Sequence, residues 1–274
     1  MTEQTILVTG STDGIGKATA HILSRQGHRV LLHGRDRKKG RGVLAELEAA
    51  TGSDRLSLFI ADLSVQEQVR DLAREVGEAC DRLDVLVNNA GVFMPEREVA
   101  PGGIEMTFAV NFLAGFLLTH ELLGLLKRST PSRIVNVASI AHRSVGSIDW
   151  GNLPGFSSYD AYDAYAISKV GNIAFTARLA RALEGTGVTA NSLNPGVIDT
   201  KLLRAYIHGR DEGAPSEQGA EVVVHLAVSP DAGKVNGGYF EETRWTQPSS
   251  LVLNPKVQDR FWEMGLDLTG IGQW

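Results

Sequence analysis

The stretch Tyr165-Ala166-Ile167-Ser168-Lys169 sets a phenol and an ammonium four positions apart. On a helix such a pair shares one face, so both groups can enter one cleft. A free tyrosine titrates at about 10, too high for ready proton exchange near neutrality. A neighbouring ammonium favours the phenolate and lowers that value. Ordinary amphipathic packing produces the same pair, so its weight depends on what stands around it. Tyr159 and Tyr162 are rival donors, but Asp163 and Ala166 stand four residues after them, and neither is a cation. They are left as residues that could line a pocket.

A second chemical feature lies near the start. Thr9-Gly10-Ser11-Thr12-Asp13-Gly14-Ile15-Gly16 falls between a strand expected at 6–9 and a helix expected at 14–26. Glycines permit a tight turn and let backbone approach a pyrophosphate. The free N–H groups and dipole of the following helix then stabilise the negative charge. The spacing Gly-x-x-x-Gly-x-Gly departs from the commoner Gly-x-Gly-x-x-Gly.

These features need a scaffold, and the apolar patterning supplies one. Strands are expected at 29–33, 56–61, 85–88, 133–138, 188–194 and 238–241, besides 6–9. Helices are expected at 38–50, 65–80, 104–127, 161–183 and 217–227, besides 14–26. Alternating strand and helix is the signature of a parallel sheet covered on both faces. The expected fold is therefore a doubly wound α/β sheet of about seven strands, Rossmann-like, in one domain over 1–274. Two regions exceed the minimal unit: an insert at 141–160 and a tail at 243–274, whose last helix is expected at 255–268.

Composition narrows the partners. The chain has 274 residues, 43% hydrophobic and 22% charged, and a net charge of −5. That balance suits a soluble globular protein and argues against nucleic-acid binding. Cys80 is the one cysteine, so neither an internal disulfide nor a cysteine-based metal site is expected; it reads as a small buried apolar residue. The most apolar stretch, 108–126, is broken by Asn111, His120 and Glu121, so no membrane span is expected. With no signal peptide visible, a cytoplasmic location is the expectation.

The turn resembles that of the short-chain dehydrogenase/reductase family, Thr-Gly-x-x-x-Gly-x-Gly. Asn88-Asn89-Ala90-Gly91 at the end of strand four matches the family's Asn-Asn-Ala-Gly, and Pro195-Gly196 ends strand six as the family requires. The resemblance runs in order along nearly the whole chain. It implies a nicotinamide cofactor held by Gly10, Ser11, Thr12, Asp13, Gly14, Ile15 and Gly16. It further implies Asp62 and Leu63 at the adenine, Asn89, Ala90 and Gly91 along the cleft, and Pro195, Gly196, Val197 and Thr200 at the nicotinamide end. Tyr165 and Lys169 then serve both cofactor and reaction. Ser139 would bond a substrate carbonyl and stabilise charge on its oxygen, with Ser144 and Ser147 as alternatives further along the insert. Asn111 would hold a water that extends a proton relay behind Lys169; a structural hydrogen bond is its other reading.

An acidic residue ending strand two would select NAD. Here His33-Gly34-Arg35-Asp36 places Arg35 to pair with a 2′-phosphate, so NADP(H) is expected. Asp36 is expected to cap the next helix, and Lys39 and Arg41 to form a solvated face. Asp13 occupies a position that is basic in some NADP-preferring members, and Lys17 is a poor substitute. The alternatives are an NAD-dependent alcohol dehydrogenase of this fold, or a non-catalytic NADP-sensing or scaffold protein.

Ser139 and Tyr165 are 26 positions apart, about twice the common family gap. The insert, the tail, and stretches such as Ser139-Ile140-Ala141-His142, Ser168-Lys169-Val170-Gly171-Asn172, Gln247-Pro248-Ser249 and Phe261-Trp262-Glu263 resemble the retinol dehydrogenase and WW-domain oxidoreductase branch. The membrane anchor common in retinol dehydrogenases is not seen, so no retinoid substrate is assumed. The insert and 201–215 are expected to rim the pocket, with Trp150, Phe156, Tyr159, Tyr206 and Trp245 as aromatic candidates. A moderately hydrophobic aldehyde, ketone or secondary alcohol is the expected substrate. Pairing of copies through the helices at 104–127 and 161–183, as homodimer or homotetramer, is the family's habit.

Overall fold

A computed structural model describes residues 3–206, 213–272 and 274. Its strands are β1 (Thr5–Val8), β2 (Arg29–Gly34), β3 (Leu56–Ile60), β4 (Val85–Asn88), β5 (Ser132–Val137), β6 (Val188–Asn194), β7 (Tyr239–Glu241) and β8 (Arg244–Trp245). They form one sheet in the order β3-β2-β1-β4-β5-β6-β7-β8. All neighbours are parallel except β7 and β8. Among the described residues the sheet thus has eight strands, near the seven or so expected. The eighth strand is only two residues long and returns antiparallel along the edge, too short to leave a period in the sequence.

Every side chain of β1 is buried, as a strand covered on both faces requires. Ile6 and Val8 face one layer with Val30, Leu32, Val85 and Val87. Leu7 faces the other with Leu31, Leu86 and Ile134. Helices α1 (Gly14–Arg25), α2 (Arg37–Thr51) and α8 (Ser216–Val228) cover the first face. Helix α3 (Gln66–Ala79), the composite helix at 106–128, and α6 (Ala161–Ala182) cover the second. The order reverses between β1 and β4, which opens a crevice beyond their carboxyl ends.

The long helix expected at 104–127 is not uniform. It runs as α4 (Met106–Phe108), a π turn at Ala109–Leu113, and α5 (Ala114–Arg128). Met106–Arg128 is long and apolar enough to cross a membrane, yet 72% of its most apolar window is buried inside the fold. It is a core helix. The short helices α7 (Lys201–Tyr206) and α9 (Ser250–Leu253) precede the final α10 (Pro255–Thr269). Asn254 caps α10 by accepting the Lys256 N–H, Pro255 occupies its first turn, and Gly270 ends it in a left-handed conformation.

Helix α10 packs against α6 and α5, where Trp262 meets Phe116 and Phe175. The insert turns away from the crevice. Trp150 packs edge-on against Phe261 with centroids 5.2 Å apart, and buried Phe156 meets Phe108. Of residues 141–160, only Ala141 reaches the crevice wall.

Gly265 lets α10 approach α5 closely: a Cβ there would lie 2.6 Å from the buried Phe116 ring. Substitution Gly265→Ala is expected to lower stability by about 1–2 kcal/mol in chemical denaturation, because overpacking outweighs the gain in helix propensity.

Candidate active site

The crevice encloses about 710 Å³. One wall is the glycine turn, and the turn is shaped by contacts that forbid side chains. Gly10 has φ +66°, and a Cβ there would lie 2.9 Å from Ala90 Cα. A Cβ on Gly16 would lie 2.3 Å from the Gly10 carbonyl oxygen and 2.5 Å from Asn89 Nδ2. Asn89 Nδ2 donates to the Thr9 carbonyl at 2.8 Å, and the backbone N–H groups of Asn89 and Ala90 donate to Thr9 Oγ1. The end of β4 therefore holds the turn from behind. Asp13 caps α1 by accepting the Gly14 N–H at 2.9 Å.

Thr12, Asp13, Gly14, Ile15 and Gly16 face the crevice with Gly10, but Ser11 does not. Ser11 is fully buried, and its hydroxyl accepts the His33 N–H at 2.8 Å. The alternation of the chain turns it into the fold. His33, which the sequence reading gave no role, is the second support. Its Nδ1 accepts the Gly10 N–H at 3.1 Å, so Nε2 carries the proton and donates to the Ala61 carbonyl at 3.1 Å. Burial holds the imidazole down to about 4, against the smaller opposing effects of the Ala61 bond and Asp62. The available signal was its place at the end of β2, just before Gly34.

Charges gather beside the turn, where β2 leads into α2. Arg35 lines the crevice, and Asp36 caps α2 through the Lys39 N–H at 2.9 Å. Lys39 is not a merely solvated residue as expected. Its ammonium lies 2.5 Å from Asp13, and Lys201 of α7 lies 2.8 Å from the same carboxylate. Burial would raise Asp13, but the two ammonium groups and the Gly14 N–H prevail and hold it at about 2. Arg41 is exposed, and Lys17 pairs instead with Glu46 at 2.7 Å. Asp62 and Leu63 line the far side, with the Asp62 carboxylate accepting the backbone and hydroxyl hydrogens of Ser64.

Ser139, Tyr165 and Lys169 converge at the other end. Lys169 is 3% exposed, and its Nζ donates to the Val137 carbonyl at 3.0 Å. That Nζ lies 5.4 Å from the centroid of the Tyr165 ring. Burial pushes the ammonium down to about 8. The expected lowering of Tyr165 is not found. Burial pushes the phenol up to about 12; nearby Ser139 opposes the shift and Tyr162 adds to it. Desolvation disfavours the charged form of both groups. Ser139 Oγ accepts the Ala141 N–H at 3.2 Å, which caps the 3₁₀ turn at Ile140–Ser144.

Asn111 lies behind the wall, at the centre of the π turn. Its Oδ1 accepts the Val92 N–H at 2.7 Å, and its Nδ2 donates to the Val92 carbonyl and to Ser168 Oγ. The amide is therefore engaged in structural bonds. Ser168 in turn donates to the Tyr165 carbonyl at 2.6 Å. A Cβ on Gly91 would meet Asn111 Oδ1 at 3.4 Å and Lys169 Nζ at 3.7 Å, ordinary contact distances that place this backbone beside both groups.

The mouth of the crevice is apolar. Phe93 lies edge-on to Tyr165 at 5.9 Å and to Tyr206 at 5.6 Å, and Tyr162 stacks on Tyr206 at 5.2 Å. Ile140, Val197, Leu202 and Leu203 complete it, with Pro195, Gly196 and Thr200 leading back to the glycine turn. Of the five expected aromatic residues, only Tyr206 lines it. Trp150 and Phe156 pack into the core, Tyr159 donates its hydroxyl to the Met94 carbonyl, and Trp245 is 64% exposed on β8. Residues 207–212, within the expected rim at 201–215, lie outside the described residues.

The sequence model of the short chain dehydrogenases matches residues 4–211. The chain belongs to that family. This short-chain dehydrogenase is 38% identical to human retinol dehydrogenase 11, over 97% of its own length and 86% of that protein. It is 37% identical to mouse retinol dehydrogenase 14, over 98% and 86% of the two chains. Among solved structures, an uncharacterized protein from Mycobacterium paratuberculosis superposes with a TM-score of 0.81 at 26% identity, covering 97% of this chain and 93% of the other. A short chain dehydrogenase from Escherichia coli CFT073, complexed with NADPH, does so with a TM-score of 0.72 at 26% identity, covering 89% and 98%. The chain thus falls in the retinol dehydrogenase branch and is an oxidoreductase acting between alcohols and carbonyl compounds.

His33 gives the site a pH signature. Its folded value lies below the ordinary 6.5, so the unfolded chain binds more protons between about pH 6.5 and 4. The stability of the neutral imidazole is complete above that window and is lost as pH falls through it, on the order of 3 kcal/mol. Substitution His33→Asn keeps an acceptor for Gly10 without titrating. Its unfolding free energy should show a shallower acid decline over pH 4–6.5 than the parent chain.

Proposed function

We propose that this enzyme interconverts a carbonyl and an alcohol on a moderately hydrophobic small molecule, with NADP(H) as its cofactor. One observation carries the reading: Ser139, Tyr165 and Lys169 meet on the crevice floor, between a phosphate-shaped turn and an apolar mouth. The cofactor assignment rests on fit. The Gly10–Gly16 contact leaves backbone where a pyrophosphate must approach. Arg35 and Lys39 bring cations to the crevice beside the end of β2, where they suit a 2′-phosphate, and the neighbouring Asp36 accepts the Lys39 N–H as the cap of α2. Solved relatives from Escherichia coli and Pseudomonas aeruginosa were complexed with NADPH and NADP.

Bound nicotinamide supplies or accepts the hydride at the reacting carbon. The chain's own residues handle the oxygen and its proton. Ser139 already uses a lone pair on the Ala141 N–H, so its hydroxyl hydrogen is available to the substrate oxygen, where it stabilises developing charge. Tyr165, pushed up to about 12, is protonated at neutral pH. It is therefore poised as the acid that protonates an alkoxide during reduction. Lys169, anchored on Val137, places positive charge beneath the phenol and favours the phenolate that oxidation requires. Asn111 acts as a positioning residue. Its bonds to Val92 hold the Gly91–Val92 wall against Lys169. The aromatic mouth favours substrates that place a flat or apolar group beside Phe93 and Tyr206.

A panel of aldehydes, ketones and secondary alcohols assayed with both nicotinamides tests the reading. Substitution Tyr165→Phe should lower kcat by roughly 10²–10⁴-fold with NADPH binding retained; unchanged turnover would remove the tyrosine from the reaction. Substitution Arg35→Leu should raise KM for NADPH about tenfold or more and leave KM for NADH nearly unchanged. A parent enzyme that prefers NADH would refute the NADP(H) assignment.

A further inference from the structure

His142 stands three residues beyond Ser139 and has no part in the reaction described above. It is fully buried. Its Nε2 accepts the backbone N–H of Ser249 at 3.2 Å. The ring proton must therefore sit on Nδ1, which donates to the Ser139 carbonyl at 2.8 Å. The Tyr239 ring meets the imidazole edge-on at 4.9 Å and fixes its plane. One ring thus joins the backbone of Ser139 to the segment that leads into the tail helices.

The neighbouring residue repeats the connection. Arg143 donates to the Gln247 carbonyl at 2.9 Å and pairs with Glu241 at 2.9 Å. Tyr239 donates its hydroxyl to the same Glu241. Two consecutive residues after Ser139 are therefore tied to the stretch from β7 to the start of α9. Burial holds the His142 imidazole below its ordinary value, with the Ser139 bond opposing, in keeping with a neutral ring that accepts at one nitrogen and donates at the other.

We propose that His142 is a positioning residue for Ser139, and that the segment at 241–249 acts on the reaction through it. The proposal rests on the role given to Ser139 under the proposed function. The Ser139 carbonyl receives the imidazole N–H, and its Oγ caps the turn that carries the imidazole. Rotation of this backbone would swing the hydroxyl away from the substrate oxygen. Displacements of about 1 Å at such a group cost on the order of 10²-fold in rate.

Four variants of the full chain test the idea, each assayed with NADPH and with NADPH binding measured by fluorescence titration. His142→Asn preserves a donor near the Ser139 carbonyl but cannot reach Ser249. Ser249→Pro removes the backbone N–H and the hydroxyl and sets the ring Cδ against His142 Nε2, so it breaks the contact from the tail side, at a residue whose φ of −61° already suits proline. Each should lower kcat about tenfold or more, with the dissociation constant for NADPH within about twofold of the parent. Ser139→Ala should lower kcat further, and adding His142→Asn to it should change kcat by less than about twofold, because the histidine acts through the serine. Full activity in His142→Asn and Ser249→Pro overturns the proposal. So does additivity with Ser139→Ala, or loss of NADPH binding in both tail-contact variants, which would mark the contact as a stability element. Full activity in Ser139→Ala would instead overturn the role of Ser139 itself, and the proposal with it.

Discussion

A lysine ammonium withdrawn from water is the constraint around which this site is organised. Burying a charge costs several kcal/mol unless polar groups replace its hydration. Lys169 offsets part of that cost with the Val137 carbonyl, at the end of the central strand β5. Its helix must therefore lie against the sheet at one height and rotation. Tyr165, one turn back on the same helix, and Ser168, the residue before it, inherit their positions from it. Gly91 and the Asn111–Val92 bonds close the remaining side. The same desolvation that makes Lys169 costly raises the phenol beside it, so the acidity of Tyr165 is a property of the whole enclosure.

The two ends of the crevice are built by different means. Backbone and glycine shape the end at the turn, where a side chain would obstruct close approach. Side chains shape the end at Tyr165, from which Phe93, Tyr162 and Tyr206 form an aromatic run. Asp13 joins the ends electrostatically, drawing Lys39 from α2 and Lys201 from α7 to one carboxylate. Such exposed pairs contribute little to stability. Their consequence here is the local arrangement of charge.

The sequence made local motifs legible and long-range ones obscure. The turn at 9–16, the Asn-Asn-Ala-Gly segment and the Tyr165–Lys169 pair each work through short spacing, and the structure brings them to one crevice. The π turn at Ala109–Leu113 was not readable, because it accompanies bonds between Asn111 and Val92, 19 positions apart. The insert's direction was equally hidden. Trp150 and Phe156 have the chemistry of pocket residues, and only the presence of α10 and Phe108 decides that they face inward. Lys39 looked like one cation of a solvated run until folding set Asp13 beside it. His33 and Ser11 show the reverse: ordinary polar residues in the sequence, fully engaged supports in the fold.

The packing of the tail also governs what light can report about this protein. Three of its four tryptophans surround the final helix: Trp150 rests on Phe261, Trp262 lies under the Arg178 guanidinium, and Trp274 meets Trp262 at 4.8 Å. The fourth, Trp245, stands in solvent on the edge strand. Intrinsic emission therefore carries a shielded component from the tail–helix junction and a solvated one from the sheet edge. Detachment of the tail would redden the former while the crevice, which holds no tryptophan, stayed optically silent.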